Sequence, residues 1–322
     1  MDEAGGAGGT AGARPLWSIR GRGVDSAAPG PGGALATNPV APYWIWGIVN
    51  VTPDSFSDGG RHNTPEAALA HARALAAQGA AVLDIGGASS RPGASELDAA
   101  GEAARVMPVI RGLLAGRAAA RAQDSPSSRP RGASIFPLVS VDTWRADVAE
   151  AALDAGADII NDISACVWEP RLAEVLAARR PGYVLMHCQG RPGHMQDAPR
   201  YADVVDEVTA FFERRMAALV RAGLPETNII LDPGIGFGKT PEHNLALLTR
   251  TGRLLELGRP LLLGLSRKSL FGDMFGLKPA ERDGITAVAT ALMAERGYAH
   301  HRVHDAAAAR RALALVRAVG PV

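Results

Sequence analysis

The chain has 322 residues, of which 47% are hydrophobic, enough for one large domain or two small ones. Its 34 basic and 33 acidic residues give a net charge of +1, so no broad basic face is implied and nucleic acid is not an expected partner. No apolar run reaches the roughly 18 residues of a membrane-spanning helix. Two cysteines are too few for a disulfide framework, so we expect a cytoplasmic protein without a membrane anchor.

The first part of the chain is rich in glycine, alanine and proline and has no hydrophobic periodicity. This composition predicts a disordered or loosely attached tail over residues 1–40. The segment also lacks the apolar core of a signal peptide. From Trp44 the pattern changes, and we expect one domain over residues 44–322.

Within this domain, short hydrophobic runs alternate with longer helical stretches. We expect strands over 45–49, 81–87, 137–142, 158–162, 183–188, 228–232, 260–266 and 299–305. We expect helices over about 65–78, 97–114, 143–155, 171–179, 202–222, 241–258, 279–296 and 306–319. The first helix is marked most clearly, with Thr64 as its cap, Pro65 at its first position and Gly79 at its end. Residues 116–134 have the composition of an insertion in a surface loop.

Eight strand-then-helix units of this size predict an α/β protein with a closed (β/α)8 TIM barrel. The strands are almost continuously hydrophobic, as expected when helices cover both faces of a parallel sheet. An open, doubly wound sheet is the alternative architecture.

Polar residues stand at the ends of almost all the predicted strands. They are Asn50, Asp84, Asp142, Asn161, His187, Asp232, the run 266–268, and Arg302, His304 and Asp305. In a parallel barrel these ends meet at one mouth, where such barrels keep their active sites. We expect some of them, namely Asp84, Asp162 and Asp305, to cap helices or pair within the rim.

The remaining strand-end residues separate by chemistry. Asp142, Asn161 and Asp232 form an acceptor-rich set that suits a flat heterocycle with several N–H donors. Arg302 and His304, with Arg91 from the second loop, suit a phosphate or pyrophosphate. Lys268 could reach either group. Asn50 suits an oxygen ligand to Mg²⁺, which proteins hold with few of their own groups plus phosphate oxygens and water.

Two familiar motifs are absent. The segment DPGIGFGKT ends like a phosphate-binding P-loop, but Pro233 stands where that motif requires its first glycine. His300, His301 and His304 lack the spacing of a zinc site. We expect His300 and His301 to serve packing or solvent exposure, and His187 to form a hydrogen bond at the rim.

The chain from Trp44 to Val319 resembles the dihydropteroate synthase family of the bacterial folate pathway. Eight segments carry the resemblance and occur in the family's order. They are GIVNVTPDSFSDGG (47–60), DIGGASSRPGA (84–94), SVDT (140–143), GADIINDIS (156–164), LMHCQGRPGHMQ (185–196), LDPGIGFGKT (231–240), LSRKSLFG (265–272) and RVHD (302–305).

This resemblance implies a reaction in which the amine of 4-aminobenzoate displaces pyrophosphate from 6-hydroxymethyl-7,8-dihydropterin diphosphate. It implies that the pterin is held by Asp142, Asn161, Asp232 and Lys268. It implies that the diphosphate and Mg²⁺ are held by Asn50, Arg302 and His304, with Ser90 and Arg91 assisting. It implies that the aminobenzoate is bordered by Phe56, Pro92, Phe237 and Ser269, and that Asp58 closes over the reacting centre. A homodimer is also implied.

The second loop departs from the family pattern. It reads GGASSRPG where the family has GGESTRPG, so Ala88 replaces an acid and Ser90 replaces a threonine. Ser90 keeps the hydroxyl, whereas Ala88 loses a carboxylate. A catalytically weak or inactive paralogue is therefore an alternative. A pterin-binding methyltransferase domain is another, although it would not need the diphosphate-binding segments.

Overall fold

Eight parallel strands form the centre of the molecule, because long apolar runs satisfy a sheet that is covered on both faces. The computed structural model describes residues 17–19, 22–23, 42–52, 64–88, 97–123 and 136–319. The strands are β1 (Trp44–Asn50), β2 (Val82–Gly86), β3 (Leu138–Asp142), β4 (Ile159–Asp162), β5 (Gly182–Met186), β6 (Ile229–Asp232), β7 (Leu262–Leu263) and β8 (His300–Val303).

The strands follow one another around a barrel. Each of β1 to β5 pairs in parallel with the next strand, and β8 pairs with both β1 and β7. A parallel bridge from Leu231 in β6 to Leu261, just before β7, joins the remaining two edges. The predicted (β/α)8 barrel is confirmed, and the open doubly wound sheet is wrong.

Helices cover the outside of the barrel. They are α1 (Pro65–Gln78), α2 (Ala99–Gln123), α3 (Ala146–Ala155), α4 (Arg171–Arg179), α5 (Val204–Ala222), α6 (Pro241–Thr249), α7 (Gly252–Leu255), α8 (Ser269–Phe275), α9 (Asp283–Glu295) and α10 (Ala306–Val319). Thr64 accepts a hydrogen bond from the Ala67 N–H, and Gly79 ends α1 with φ at 108°, as predicted. Among these described helices, none combines the length and the apolar character needed to cross a membrane.

Several boundaries differ from prediction for local reasons. Helix α2 continues to Gln123, so the first residues of the predicted 116–134 insertion are helical. Residues 124–135 lie outside the described part of the chain. The predicted 241–258 helix is split where the Thr251 hydroxyl donates to the Leu248 carbonyl. Strand β7 keeps only two residues and begins after Pro260, which has no N–H for the ladder.

A short segment ahead of β1 packs into the floor of the barrel, where a loose tail was predicted. Residues Ser18–Ile19 pair antiparallel with Arg22–Gly23. Trp17 and Ile19 are each only 2% exposed. The Trp17 indole N–H donates to the Asn228 carbonyl (3.2 Å), and the Ser18 hydroxyl donates to Asn228 Oδ1 (2.7 Å). The large apolar surface of Trp17 favours this position, although nothing local in the sequence marks it.

The floor itself is an aromatic cluster within the barrel. Trp17 stacks on Trp46 at 6.3 Å between ring centroids and meets Trp44 edge-on at 5.9 Å. The Trp46 indole N–H donates to His300 Nδ1 at 3.1 Å. Burial lowers the pKa of His300 to about 3, so the ring is neutral and packs as part of the floor. Packing or solvent exposure was predicted for His300 and His301, and the structure shows packing, because both side chains are buried.

Replacing Trp17 by alanine is expected to lower the free energy of unfolding by about 3 to 5 kcal/mol, because a buried indole leaves a cavity in a closed floor. Urea unfolding followed by circular dichroism measures this change. Val167→Ala is the control, since Val167 is 53% exposed and its truncation should cost less than about 0.5 kcal/mol. A Trp17 effect as small as the control would show that the segment does not stabilise the barrel.

Candidate active site

A hydrogen-bonded group joins the ends of strands β2, β3, β4 and β8 at the mouth of the barrel. Arg302 donates from Nε to Asp84 Oδ2 (2.6 Å) and from Nη2 to Asp142 Oδ2 (2.8 Å). The Asn161 amide donates to the same Asp84 oxygen at 3.0 Å. Asp84 is completely buried, so it holds the arginine and the amide in fixed positions. The prediction that Asp84 pairs within the rim is confirmed, and its partners are two candidate site residues.

Strand register brings these residues side by side. Asp142 is the register partner of Asn161 on one side and of Gly86 on the other. Asp142 is 27% exposed and Arg302 is 21% exposed, which leaves both accessible from the mouth.

Burial raises the pKa of two carboxyl groups of the site, those of Asp142 and Asp232. Burial raises the pKa of Asp142 to about 7, and the Arg302 charge opposes this shift without cancelling it. Burial also raises the pKa of Asp232, whose Oδ1 accepts the Gly234 N–H at 2.8 Å. Acceptors held in this way favour a ligand that brings its own N–H donors, because those donors replace the lost water.

Lys268 faces the same space from the loop after β7. Its ammonium lies 4.2 Å from the centroid of the Phe237 ring, a cation–π contact. Burial lowers the pKa of Lys268 to about 8, and Asp232 opposes this shift. The Phe237 ring and Lys268 therefore form one wall of the mouth, on the side of β6 and β7.

His304 is oriented by Ser266. The Ser266 hydroxyl oxygen accepts the His304 backbone N–H at 3.1 Å, and it lies 2.9 Å from His304 Nδ1. The hydroxyl hydrogen can therefore go to Nδ1, which leaves the ring proton on Nε2. A histidine in this tautomer can donate to an anionic oxygen.

Two further candidates lie at element ends. Asn50 is the last residue of β1 and is partly buried, which suits one oxygen ligand to a metal shared with phosphate oxygens. Within the described ranges, no group of three or more His, Cys, Asp and Glu residues could hold a metal on its own. Ser269 is exposed and begins α8.

The comparisons with known proteins decide the family. A family model described as pterin binding enzyme matches residues 46–304. The dihydropteroate synthase of Escherichia coli (strain K12) is 38% identical over 275 residues, covering 85% of this chain and 90% of that protein. The Yersinia pestis dihydropteroate synthase, solved with a sulfonamide drug complex, has a TM-score of 0.78 and 36% identity, over 94% of this chain and 98% of that one. The chain belongs to the dihydropteroate synthase family.

A third relative has been solved with small molecules of the reaction. The Xanthomonas albilineans dihydropteroate synthase with 4-aminobenzoic acid has a TM-score of 0.76 and 43% identity, over 88% of this chain and 95% of that one. The same enzyme in complex with 7,8-dihydropteroate has a TM-score of 0.74 and 40% identity, over the same shares of the two chains. At these sequence identities the chain and the Xanthomonas enzyme share sequence as well as fold.

Five residues that the dihydropteroate synthase resemblance pointed to lie outside the described part of the chain. They are Phe56, Asp58, Ser90, Arg91 and Pro92. Of the described candidates, Asp142, Asn161 and Arg302 are linked through hydrogen bonds, and Asp232, Lys268 and Phe237 form the opposite wall.

The remaining polar strand ends have structural roles. Asp162 accepts the N–H groups of Ser164 and Cys166 (both 2.6 Å) and the Tyr183 hydroxyl (2.9 Å). Asp305 accepts the Ala308 N–H at 2.8 Å and caps α10. Both predictions are confirmed.

Sequence reasoning missed two buried charged residues beside the candidate site. Lys239, only 3% exposed, donates to His187, whose predicted rim hydrogen bond is thereby confirmed. Glu102, 1% exposed, lies 3.2 Å from Arg145 Nε, and the neighbouring Arg105 donates to the Gly87 carbonyl at 3.0 Å. The scarcity of lysine was the one available signal for Lys239, and nothing marked Glu102.

The Glu102 region bears on the unusual second loop. Ala88 itself is exposed, and the preceding Gly87 packs so tightly that a Cβ would lie 2.7 Å from Val106 Cγ1. The base of the loop is therefore held from α2 without a carboxylate at position 88.

Proposed function

We propose that this protein is a dihydropteroate synthase, a transferase that condenses 6-hydroxymethyl-7,8-dihydropterin diphosphate with 4-aminobenzoate in folate biosynthesis. The products are 7,8-dihydropteroate and pyrophosphate. The observation that carries the proposal is the acceptor set of Asp142, Asn161 and Asp232, of which the last two are buried and the first is open to the mouth. Arg302 and Lys268 lie with this set in the mouth of a family barrel.

The acceptor set is proposed to bind the pterin ring. A pterin edge presents several N–H donors and a carbonyl, which Asp142, Asp232 and the Asn161 amide complement. Lys268 can donate to a ring acceptor from the other wall. Because the carboxylates are fixed before the ligand arrives, little reorganisation is needed on binding.

The diphosphate end of the pterin substrate is proposed to bind Asn50, Arg302 and His304. Arg302 and His304 Nε2 would donate to the diphosphate oxygens, assisted by Ser90 and Arg91. Asn50 would hold Mg²⁺ together with those oxygens, and the ion supplies positive charge that stabilises the departing pyrophosphate.

The amine is proposed to approach between Phe56, Pro92, Phe237 and Ser269. Its nitrogen forms a bond to the exocyclic carbon as the bond from that carbon to the diphosphate oxygen breaks. The leaving oxygen keeps the electron pair, and the departing pyrophosphate can take up the proton that the amine releases. No activated nucleophile is required, because the amine is already neutral. The residues orient the ring and exclude water, and Asp58 would close over the reacting centre.

The direct test mixes the purified protein with pterin diphosphate, Mg²⁺ and 4-aminobenzoate and measures pyrophosphate release. The expected result is release that depends on 4-aminobenzoate, with dihydropteroate formed in equal amount. Release without aminobenzoate would be hydrolysis. No release above background would reject the synthase function in favour of an inactive paralogue.

The raised pKa of Asp142 predicts a pH dependence for kcat/KM of the pterin diphosphate. Only the carboxylate accepts N–H groups at both oxygens, so kcat/KM is expected to rise as pH increases from 6 to 8 around the pKa of about 7. In Asp142→Asn the rise should disappear from the remaining activity. An unchanged profile in that variant would mean that another group, or the substrate, titrates.

Asp142 is expected to affect folding stability in the opposite direction, so that stability falls over the pH range in which kcat/KM rises. The folded protein keeps the Asp142 proton at pH values where the unfolded chain has lost it. This group alone therefore lowers stability as pH rises from about 4 to about 7.

We further propose a homodimer formed through α9 and α10. Exposed apolar residues repeat at one-turn spacing on both helices, Val288 (61%) and Leu292 (50%) on α9, and Leu315 (61%) and Val319 (71%) on α10. Sedimentation velocity should give a dimer that Leu292→Asp dissociates. A monomeric wild-type protein would reject this proposal.

We propose the cytoplasm as the location of the protein, since Cys166 and Cys188 are free thiols.

A further inference from the structure

Lys239 is a buried lysine that ties two loops at the mouth of the barrel. Its ammonium donates to His187 Nδ1 (2.9 Å) and to three backbone carbonyls, those of Gly234 (3.0 Å), Phe237 (3.1 Å) and His187 (3.3 Å). The side chain is only 3% exposed. Because three of the four acceptors are backbone carbonyls, these contacts act mainly on backbone conformation.

The loop that Lys239 holds is the glycine-rich segment 233–239 after β6. Gly234, Gly236 and Gly238 all have positive φ, between 62° and 81°. A Cβ on Gly234 would lie 2.0 Å from the His187 carbonyl oxygen, and one on Gly238 would lie 2.4 Å from that of Gln189. Glycine thus lets the loop press against residues 187–189, and Lys239 lies between the two backbones.

The chemistry of the contacts explains why a lysine is needed. All four partners can act as acceptors, and the three N–H bonds of an ammonium group serve them, with two acceptors sharing one N–H. Burial nevertheless lowers the pKa of Lys239 to about 7, and burial together with proximity to Lys239 lowers the pKa of His187 to about 2. His187 therefore stays neutral and accepts from the lysine.

Phe237 is the residue most directly fixed by this arrangement. Its carbonyl accepts from Lys239, and its ring faces the Lys268 ammonium. By contrast, strand register and Arg302 hold Asp142, and strand register and Asp84 hold Asn161, both on the opposite wall. Loss of Lys239 should therefore disturb one wall of the mouth and leave the other in place.

We propose that Lys239 is a positioning residue that sets the aminobenzoate side of the site by fixing the 233–239 loop and the Phe237 ring. This inference rests on the proposed synthase function for its substrate, whereas the loop restraint itself does not.

The test compares Lys239→Met with Lys278→Met, the same change at an exposed lysine outside the site. In Lys239→Met the KM for 4-aminobenzoate is expected to rise by about tenfold or more, because the loop loses its charged hydrogen bonds. The KM for the pterin diphosphate should change by less than about threefold, since Asp142 and Asn161 lie on the other wall and Asp232 is itself the last residue of β6. Lys278→Met should match the wild type in both.

Hydrogen exchange supplies a readout that needs no activity. Amides 234–238 should exchange faster in Lys239→Met than in the wild type, while those of β6 stay protected. If the wild-type protein released no pyrophosphate, the synthase function would fail, and the exchange data would still decide whether Lys239 holds the loop.

Two results would overturn the proposal: an unchanged KM for 4-aminobenzoate, or an equal rise in both KM values. If Lys239→Met fails to fold, Tyr201→Phe replaces it, because the Tyr201 hydroxyl donates to the Gly238 carbonyl of the same loop at 2.8 Å. That variant should raise only the KM for 4-aminobenzoate, by about threefold, since it removes one neutral hydrogen bond. No selective rise there would also overturn the proposal.

Discussion

Replacing Arg302 by methionine is expected to abolish dihydropteroate formation and to lower the free energy of unfolding by about 3 kcal/mol. The stability loss follows because Asp84 is fully buried and would lose its guanidinium partner. Activity is lost because the same guanidinium also holds Asp142 in the acceptor set. Pyrophosphate release and urea unfolding measure the two effects separately.

A double variant separates the charge effect from the loss of the residue. Asp84→Asn combined with Arg302→Met removes both charges and should recover part of the lost stability without restoring activity. Arg214→Met is the control, since Arg214 is exposed on α5, away from the proposed dimer interface, and its replacement should leave both measurements unchanged. If the double variant were no more stable than Arg302→Met, the stability loss would not come from an unpaired Asp84.

Asp232→Asn is expected to reduce kcat/KM by at least about 100-fold, since an amide N–H replaces a carboxylate oxygen that accepts from the ligand. Stability should stay equal or increase. Burial raises the pKa of Asp232, so the charged form is costly in the folded state, and asparagine Oδ1 can still accept the Gly234 N–H. Steady-state kinetics measures the expected loss of kcat/KM, and thermal unfolding measures whether stability is kept or increased.

The matched control is Asp203→Asn. Asp203 caps α5 and pairs with Arg250 at the surface, where the change should leave kcat/KM unaltered. A parallel loss of activity and stability in Asp232→Asn would contradict the expected separation and assign Asp232 a structural role.

The barrel and the position of its mouth could be predicted from the sequence because both depend on local patterns. Hydrophobic runs mark the strands, and the residue after each run marks the end at which the site lies. Thr64 and Gly79 act where they were expected to act, since capping involves neighbours within a few residues.

Contacts between distant residues could not be predicted in the same way. Arg302 was expected to face a phosphate, and its guanidinium donates to Asp84 and Asp142, 218 and 160 residues earlier in the chain. Likewise, Lys239 looked like part of a failed P-loop motif, and its actual role depends on the approach of residues 187–189. Such roles depend on the strands that become neighbours in the folded barrel. No short segment of the sequence encodes that pairing.

The packing of Trp17 has a consequence for the order of events during synthesis. Its hydrogen-bond partner Asn228 follows it by 211 residues. At about 5 to 20 residues per second, a ribosome makes that stretch in roughly 10 to 40 s. Trp17 thus leaves the ribosome long before Asn228, and its side chain can pack into the barrel floor only after the β6 region has been made. The nascent chain carries an unsatisfied indole throughout that interval, and the barrel floor closes late.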